Sequence, residues 1–263
     1  MKQVNFHYNY PISINIPTNK NVNVFIDKVN NRRLTHNEVR IIILEEPFKG
    51  GTYAFIKRRS NYTHVLTFHE EILDANPKAH LFNCVDCWVK NYVFTEKQFS
   101  VSTVVGGKTN GLMRGYASRH NLWTWKDLIK TPKAFYVSSK SIWKRVNYDE
   151  NLVLGDSKAP LFDSMFHVAI ENTSIANYFS EKIVDCFQTK TVPIYLGCTN
   201  IEKYFNIDGI IRVNNVGDII EACNSITPEL YAKMLPAIED NYNRSMDWLD
   251  HDKQIENAII KLI

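Results

Sequence analysis

Short apolar runs rich in β-branched residues recur along the chain, and between them apolar residues fall three and four positions apart. The runs at 39–46 (VRIIILEE), 64–68, 99–105, 134–138, 166–171, 191–196 and 209–213 predict buried strands. The stretches at 111–129, 178–189, 216–225 and 228–248 predict helices. Strands alternating with helices in this way predict an α/β architecture with parallel sheets. Residues 28–38 are polar and predict a loop followed by a helix start, and residues 145–163 predict loop. The strands fall into two sets, which predicts two Rossmann-like domains facing a cleft, over 1–97 and 98–249. A last helix over 250–263 would put Ile255, Ala258, Ile259 and Leu262 on one stripe. In open α/β sheets ligands bind beyond the carboxyl ends of the strands, so the polar residues that follow each strand matter most.

Composition narrows the classes. The chain has 263 residues, 44% hydrophobic and 22% charged, which excludes global disorder. A formal net charge of +3 gives no general case for nucleic acid or an anionic membrane as partner. Five cysteines are too few for a disulfide scaffold of this length. No apolar run approaches the ~18–20 residues of a membrane span. The polar, tyrosine-rich N-terminus has no signal-peptide pattern, so a cytoplasmic protein is expected. The sequons at Asn61, Asn172 and Asn243 are then chance matches.

Three segments carry candidate chemistry. In the first, a strand runs into Gly106-Gly107-Lys108-Thr109 and a helix bearing Arg114 and Arg119. Glycines let backbone approach a phosphate, and the cations supply charge. It is not a P-loop, because Ser102 stands where that motif needs glycine. In the second, a strand ends at Glu171-Asn172, and a helix with Glu181 and Lys182 in its first turn follows. A lysine opposes the helix dipole there, which predicts an anion at that helix end. The third is Glu45-Glu46 at a strand's carboxyl end, where one carboxylate facing a cleft suits a general base. Cys84-Val-Asp-Cys87, with His64, His69 and His80 upstream, is a weak zinc or redox signal, and Asp250-His-Asp252 reads as a helix cap rather than a metal-binding DxD.

AIENTSIANYFSEKIVDCFQTKTVPIYLG, from Ala169 to Gly197, resembles the donor-binding signature of the family 10 glycosyltransferases, the α1,3/α1,4-fucosyltransferases. Ser180 stands where that family usually has threonine. VSTVVGGKTNGLMRGYASRHNLW resembles the family's upstream diphosphate segment, and Ile43-Leu44-Glu45-Glu46 is a loose counterpart of its acidic motif. The resemblance implies a GT-B fold and an inverting, metal-independent transfer of L-fucose from GDP-fucose to a glycan acceptor, with no cofactor. It implies that Arg119, with Arg114 its rival, and Lys182 neutralise the diphosphate, and Lys108 of the glycine turn is a further candidate for donor binding. Glu181 would bind sugar hydroxyls, Asn172 and Tyr178 would contact the nucleotide, and Glu45 would be the base, with Glu46 its rival. It also implies that the last helix packs back on the N-terminal domain. A UDP-sugar donor, or a non-catalytic glycan- or nucleotide-binding module, are the other readings.

Overall fold

The structure, a computed structural model, describes residues 2–8, 12–30, 32–47, 56, 61–108, 113–139 and 149–263. It divides into two compact units. The first holds Met1–Val85, Ala176–Tyr178 and Asp250–Ile263, and the second holds Asp86–Ile175 and Phe179–Leu249.

In the first unit β1 (Lys2–Gln3) pairs antiparallel with β3 (Pro17–Thr18). The main sheet is built from β2 (Asn5–His7), β4 (Asn21–Ile26), β5 (Glu38–Leu44), β6 (His64–Thr67) and β7 (Ala79–Leu81). Its order is β2-β4-β5-β6-β7, and every pair is parallel. Successive side chains of a strand point to opposite faces, and both faces here are apolar. Val22, Val24, Ile26, Ile41 and Ile43 share one core cluster with Ile255 and Ile259 of α6 (His251–Ile260). Phe25, Ile42 and Leu44 share the other with Tyr62 and with Ile72 of α1 (Glu70–Ala75). The stripe on the last helix is therefore the cover of one sheet face.

The helix start predicted within 28–38 is absent among the described residues: the chain passes through Asp27 and Asn37, both at positive φ, directly into β5. A buried arginine fixes this connection. The Arg40 guanidinium donates to both Glu38 carboxylate oxygens at 2.9 Å and to the Arg32 carbonyl at 2.6 Å. That tethers the polar segment to the strand, so no helix is needed to cross between neighbours.

The second unit has one parallel sheet of β8 (Gln98–Val105), β9 (Lys133–Ser138), β10 (Val153–Leu154), β11 (Ser164–Ile170), β12 (Val192–Leu196) and β13 (Ile211–Arg212). The order is β10-β9-β8-β11-β12-β13. Its helices are α2 (Arg114–Thr124), α3 (Glu181–Gln188), α4 (Val216–Ser225) and α5 (Pro228–Ser245). α2 stops at Thr124 and yields to a 3-10 turn at Lys126–Leu128, short of the expected 129. Residues 109–112, where that helix was expected to begin, lie outside the described residues. α3 starts at Glu181 rather than 178 because Ser180 caps it, its hydroxyl accepting from the Lys182 N–H. The unit begins at Asp86 rather than 98. Hydrogen bonds hold 86–97 to it: Trp88 N–H to Asp185 at 2.8 Å, Tyr92 hydroxyl to the Phe162 carbonyl at 3.0 Å, and Lys97 Nζ to Thr191 at 2.9 Å and to the Phe162 carbonyl.

Candidate functional site

The second unit contains a cavity of about 490 Å³ beyond the carboxyl ends of β8 and β11. Gly106, Gly107 and Lys108, which follow β8, line it, as do Tyr116 and Arg119 from α2 and Lys182 from α3. Lys158 and Trp88 complete the wall, with Ser102's partner His167 and Asp185 deeper in.

The loop after β11 organises this wall. Glu171 is 1% exposed, and its carboxylate accepts from the Ser180 N–H at 2.9 Å and the Ser180 hydroxyl at 2.6 Å. Gly115 of α2 lies hard against the same loop. Its N–H donates to the Asn172 carbonyl at 3.0 Å, and a Cβ there would stand 1.8 Å from the Glu171 carbonyl oxygen. Only glycine lets the start of α2 approach so closely. One turn on, the Arg119 guanidinium donates to the Ile170 carbonyl and, at 3.0 Å, to the Asn172 side chain. Arg119 thus both clasps the strand end and faces the cavity.

Lys182 Nζ donates to the Ser180 hydroxyl at 2.9 Å and to Glu181 at 3.0 Å, and stands 3.7 Å from Glu171. Its charge at a helix start, taken in the sequence to predict an anion, is thus already answered by two carboxylates. Burial opposes that charge, but Glu181 and Glu171 outweigh burial and hold the pKa above the usual lysine value. Glu181 is the converse case: burial raises its pKa, yet Lys182 and Lys158 bring it down to about 2. Lys158, 3.4 Å from Glu181, lies over the Trp88 ring at 3.4 Å from its centre, and burial pulls its pKa down. Burial also pushes Asp185 up to about 7 and His167 down to about 3. The cavity therefore presents Lys108, Arg119, Lys158 and Lys182 over a floor whose histidine is neutral at neutral pH. That arrangement suits a multiply charged anion.

Of the residues singled out in the sequence, Gly106, Gly107, Lys108, Arg119 and Lys182 line the wall, and Asn172 bonds to Arg119. Glu181 joins through its lysines. Arg114 is exposed at the start of α2. Tyr178 belongs to the first unit, where its ring packs on Phe68 at 5.0 Å between centres and is 5% exposed. Nucleotide contact by that ring would have to displace this packing. Lys158, Trp88, His167 and Asp185 were not foreseen. Lys158 and Trp88 lie in stretches without periodicity, and the other two read as ordinary strand and helix interior.

Glu45 lies in the first unit, just after β5. Its Oε1 accepts from His251 Nε2 at 3.1 Å and from the Cys84 thiol at 3.3 Å. These three side chains bring ligand-type atoms within 4.8 Å of one another, the one such grouping found among the described residues, and hydrogen bonds account for it. The zinc signal around Cys84-Val-Asp-Cys87 dissolves: Cys84 turns to Glu45, Cys87 falls in the second unit, and His64 pairs with His80 at 3.2 Å. Asp250 caps α6 as expected, accepting from the Lys253 N–H at 2.9 Å.

Residues 142–260 match the sequence profile of the glycosyltransferase family 10 (fucosyltransferase) C-terminal region. An α-(1,3)-fucosyltransferase FucT of Helicobacter pylori is 27% identical over 146 residues, which are 52% of this chain and 29% of that enzyme. The match thus spans under a third of the curated relative. An α1,3-fucosyltransferase crystal structure with GDP-fucose superposes with a TM-score of 0.56 at 16% identity, covering 92% of this chain and 77% of that one. A structure of S. aureus TarM with UDP gives 0.53 at 10% identity, covering 90% and 55%. At such identities the superpositions carry the fold, which is GT-B: α/β, with parallel sheets. Among the described residues no helix is long and apolar enough to cross a membrane. Residues 142–260, which supply Lys158 and Lys182 to the cationic wall, are thus similar to the C-terminal region of the family 10 glycosyltransferases, the fucosyltransferases.

Proposed function

We propose that the protein transfers L-fucose from GDP-fucose to a glycan hydroxyl, with inversion and without a metal ion. The acceptor oxygen attacks the anomeric carbon from the face opposite the diphosphate. The bond from that carbon to the phosphate oxygen breaks, and its electron pair leaves with GDP. Glu45 takes the proton from the acceptor hydroxyl. Arg119 and Lys182 offset the charge that develops on the leaving diphosphate, and Lys108 and Lys158 add to that field. Glu181, held by two lysines, is positioned to accept from sugar hydroxyls, and Asn172 supports the nucleotide side through Arg119.

The observation that carries this reading is the cationic wall, where Lys182 of the segment resembling the family's donor signature meets Lys108 and Arg119 of the one resembling its diphosphate segment. The test is a thermal-shift panel of GDP-fucose, GDP-mannose, UDP-sugars, GDP and UDP, followed by an assay for GDP release. A ligand at 100 times its dissociation constant adds about 2.7 kcal/mol of stability. GDP-fucose should stabilise the protein most and be slowly hydrolysed without acceptor. Stabilisation by UDP compounds alone would replace the donor. Binding with no turnover under any condition would make the protein a binding module.

A further inference from the structure

The run Asp250-His251-Asp252 does more than cap a helix. His251 sits in the first turn of α6 with both ring nitrogens engaged: Nε2 with Glu45 Oε1 at 3.1 Å, and Nδ1 with Asp252 Oδ1 at 3.2 Å. Two carboxylate partners, neither able to donate when ionised, require an imidazole protonated on both nitrogens, hence cationic. Asp252 is itself anchored, its Oδ2 accepting from the Ser13 N–H at 2.9 Å. Glu45 is held from other sides as well. The Cys84 thiol reaches the same Oε1, and Asp27 accepts from the Glu45 backbone N–H at 3.2 Å.

We propose that His251 is a positioning residue for glycosyl transfer: backed by Asp252, its imidazolium holds the Glu45 carboxylate in place as the proton acceptor. This rests on the reading of Glu45 as the base. The charged and titratable groups around the pair include Asp27 just after β4, Cys84 after β7, and Asp250 and Asp252 beside His251 on its own helix. Burial pulls the histidine towards neutrality, but Glu45 and Asp252 outweigh burial and raise its pKa to about 9. Burial and the nearby carboxylates push the Cys84 thiol well above its usual value, so it stays a donor. During transfer Glu45 gains the acceptor's proton and becomes neutral, while His251 keeps both of its own. The histidine's work is done beforehand, by fixing the carboxylate and favouring its ionised form.

The consequence is read in the pH profile. An opposite charge within ~4–6 Å lowers a carboxylate's pKa by about 1–3 units, so its loss should move the acid limb of kcat upward by about that much. His251→Gln should keep native affinity for GDP-fucose at pH 7.5. Its turnover should begin to fall, as pH decreases, about 1–3 units higher than that of the native protein. Asp252→Asn should shift the limb the same way by less, and it carries the test if His251→Gln does not fold. An acid limb unmoved in the folded variants would overturn the proposal. Glu45→Gln, assayed alongside, separates the two levels. If it retains turnover, the base assignment itself falls. If it is inactive while His251→Gln keeps a native profile, only the histidine's role falls. A stoichiometric zinc ion in the purified protein, lost from Cys84→Ser, would also overturn the proposal, because Glu45 would then be a ligand.

Discussion

Glu45 in the first unit and Glu181 in the second are both carboxylates held by cations, yet the two clusters are assembled and titrate differently. Glu181, Lys182 and their neighbour Glu171 come from one stretch of chain, joined by Lys158 and Arg119. Glu45, His251, Cys84 and Asp27 come from four separate segments. His251 has a folded pKa of about 9 against an ordinary 6.5. Its raised value means that its stabilisation is complete below pH 6.5 and is lost as pH rises through 9. Glu181, at about 2 against 4.5, stabilises fully above pH 4.5 and loses this as pH falls towards 2. One cluster fails on the alkaline side and the other on the acid side, with neutral pH between them. Two carboxylates of the same chemistry are thus distinguished by the pKa of the cation that holds them.

The largest effect should come from breaking the first cluster at its carboxylate. Glu45→Gln should lower turnover by ~10²–10⁴-fold while sparing donor affinity, measured as kcat against GDP-fucose Kd. Loss of donor binding would make Glu45 a ligand contact, and native turnover in Glu45→Gln but not Glu46→Gln would move the role to its neighbour. Next comes the helix that delivers His251. Ile259 is 0% exposed in the sheet core, and Ile259→Ala should cost about 2–5 kcal/mol in chemical denaturation. The second cluster should respond more mildly. Lys182→Ala and Arg119→Ala each remove charge-assisted bonds of about 1.5–3 kcal/mol, or roughly 10–150-fold in donor affinity and rate. Arg114→Ala should cost less, and the reverse order would move the diphosphate one helical turn. Smaller still is the pH contrast. In urea titrations His251→Gln should flatten the loss of stability between pH 6.5 and 9, and Glu181→Gln that between pH 4.5 and 2. Excess EDTA should change nothing, and an activity that it abolishes and manganese restores would overturn the metal-free mechanism.

The same contrast explains what was legible in the sequence. β11, α3 and β12 lie within about thirty residues, so Glu171, Glu181 and Lys182 could be read together from one continuous pattern. β5, β6, β8, β9, β11, β12 and β13 were legible because strands buried on two faces are conspicuous apolar runs, whereas β2, β4, β7 and β10, short or interrupted by asparagines, were not predicted. The helix expected before β5 failed because Arg40 satisfies the polar loop through tertiary bonds that no local pattern reports. Lys158 and Trp88 escaped notice for the same reason: nothing in their neighbours signals a lysine lying on an indole. His251 stood in plain view but within a helix cap, and its partner is 206 positions away. Gly115 gave no sign of its role, since its meaning is a contact with the Glu171 backbone.

The return of α6 to the first sheet also sets a timetable for folding. One face of that sheet consists of Val22, Val24, Ile26, Ile41 and Ile43, and its cover includes Ile255 and Ile259. A ribosome making ~5–20 residues per second would need roughly 10–30 s to pass from Val85 to Ile255. Throughout that interval the strands are made and their cover is not. The second unit, whose last residue is Leu249, is complete before α6 is made and can close first. A chain paused before residue 250 should therefore show a protease-resistant second unit beside a first unit that still binds chaperones through its bare apolar face.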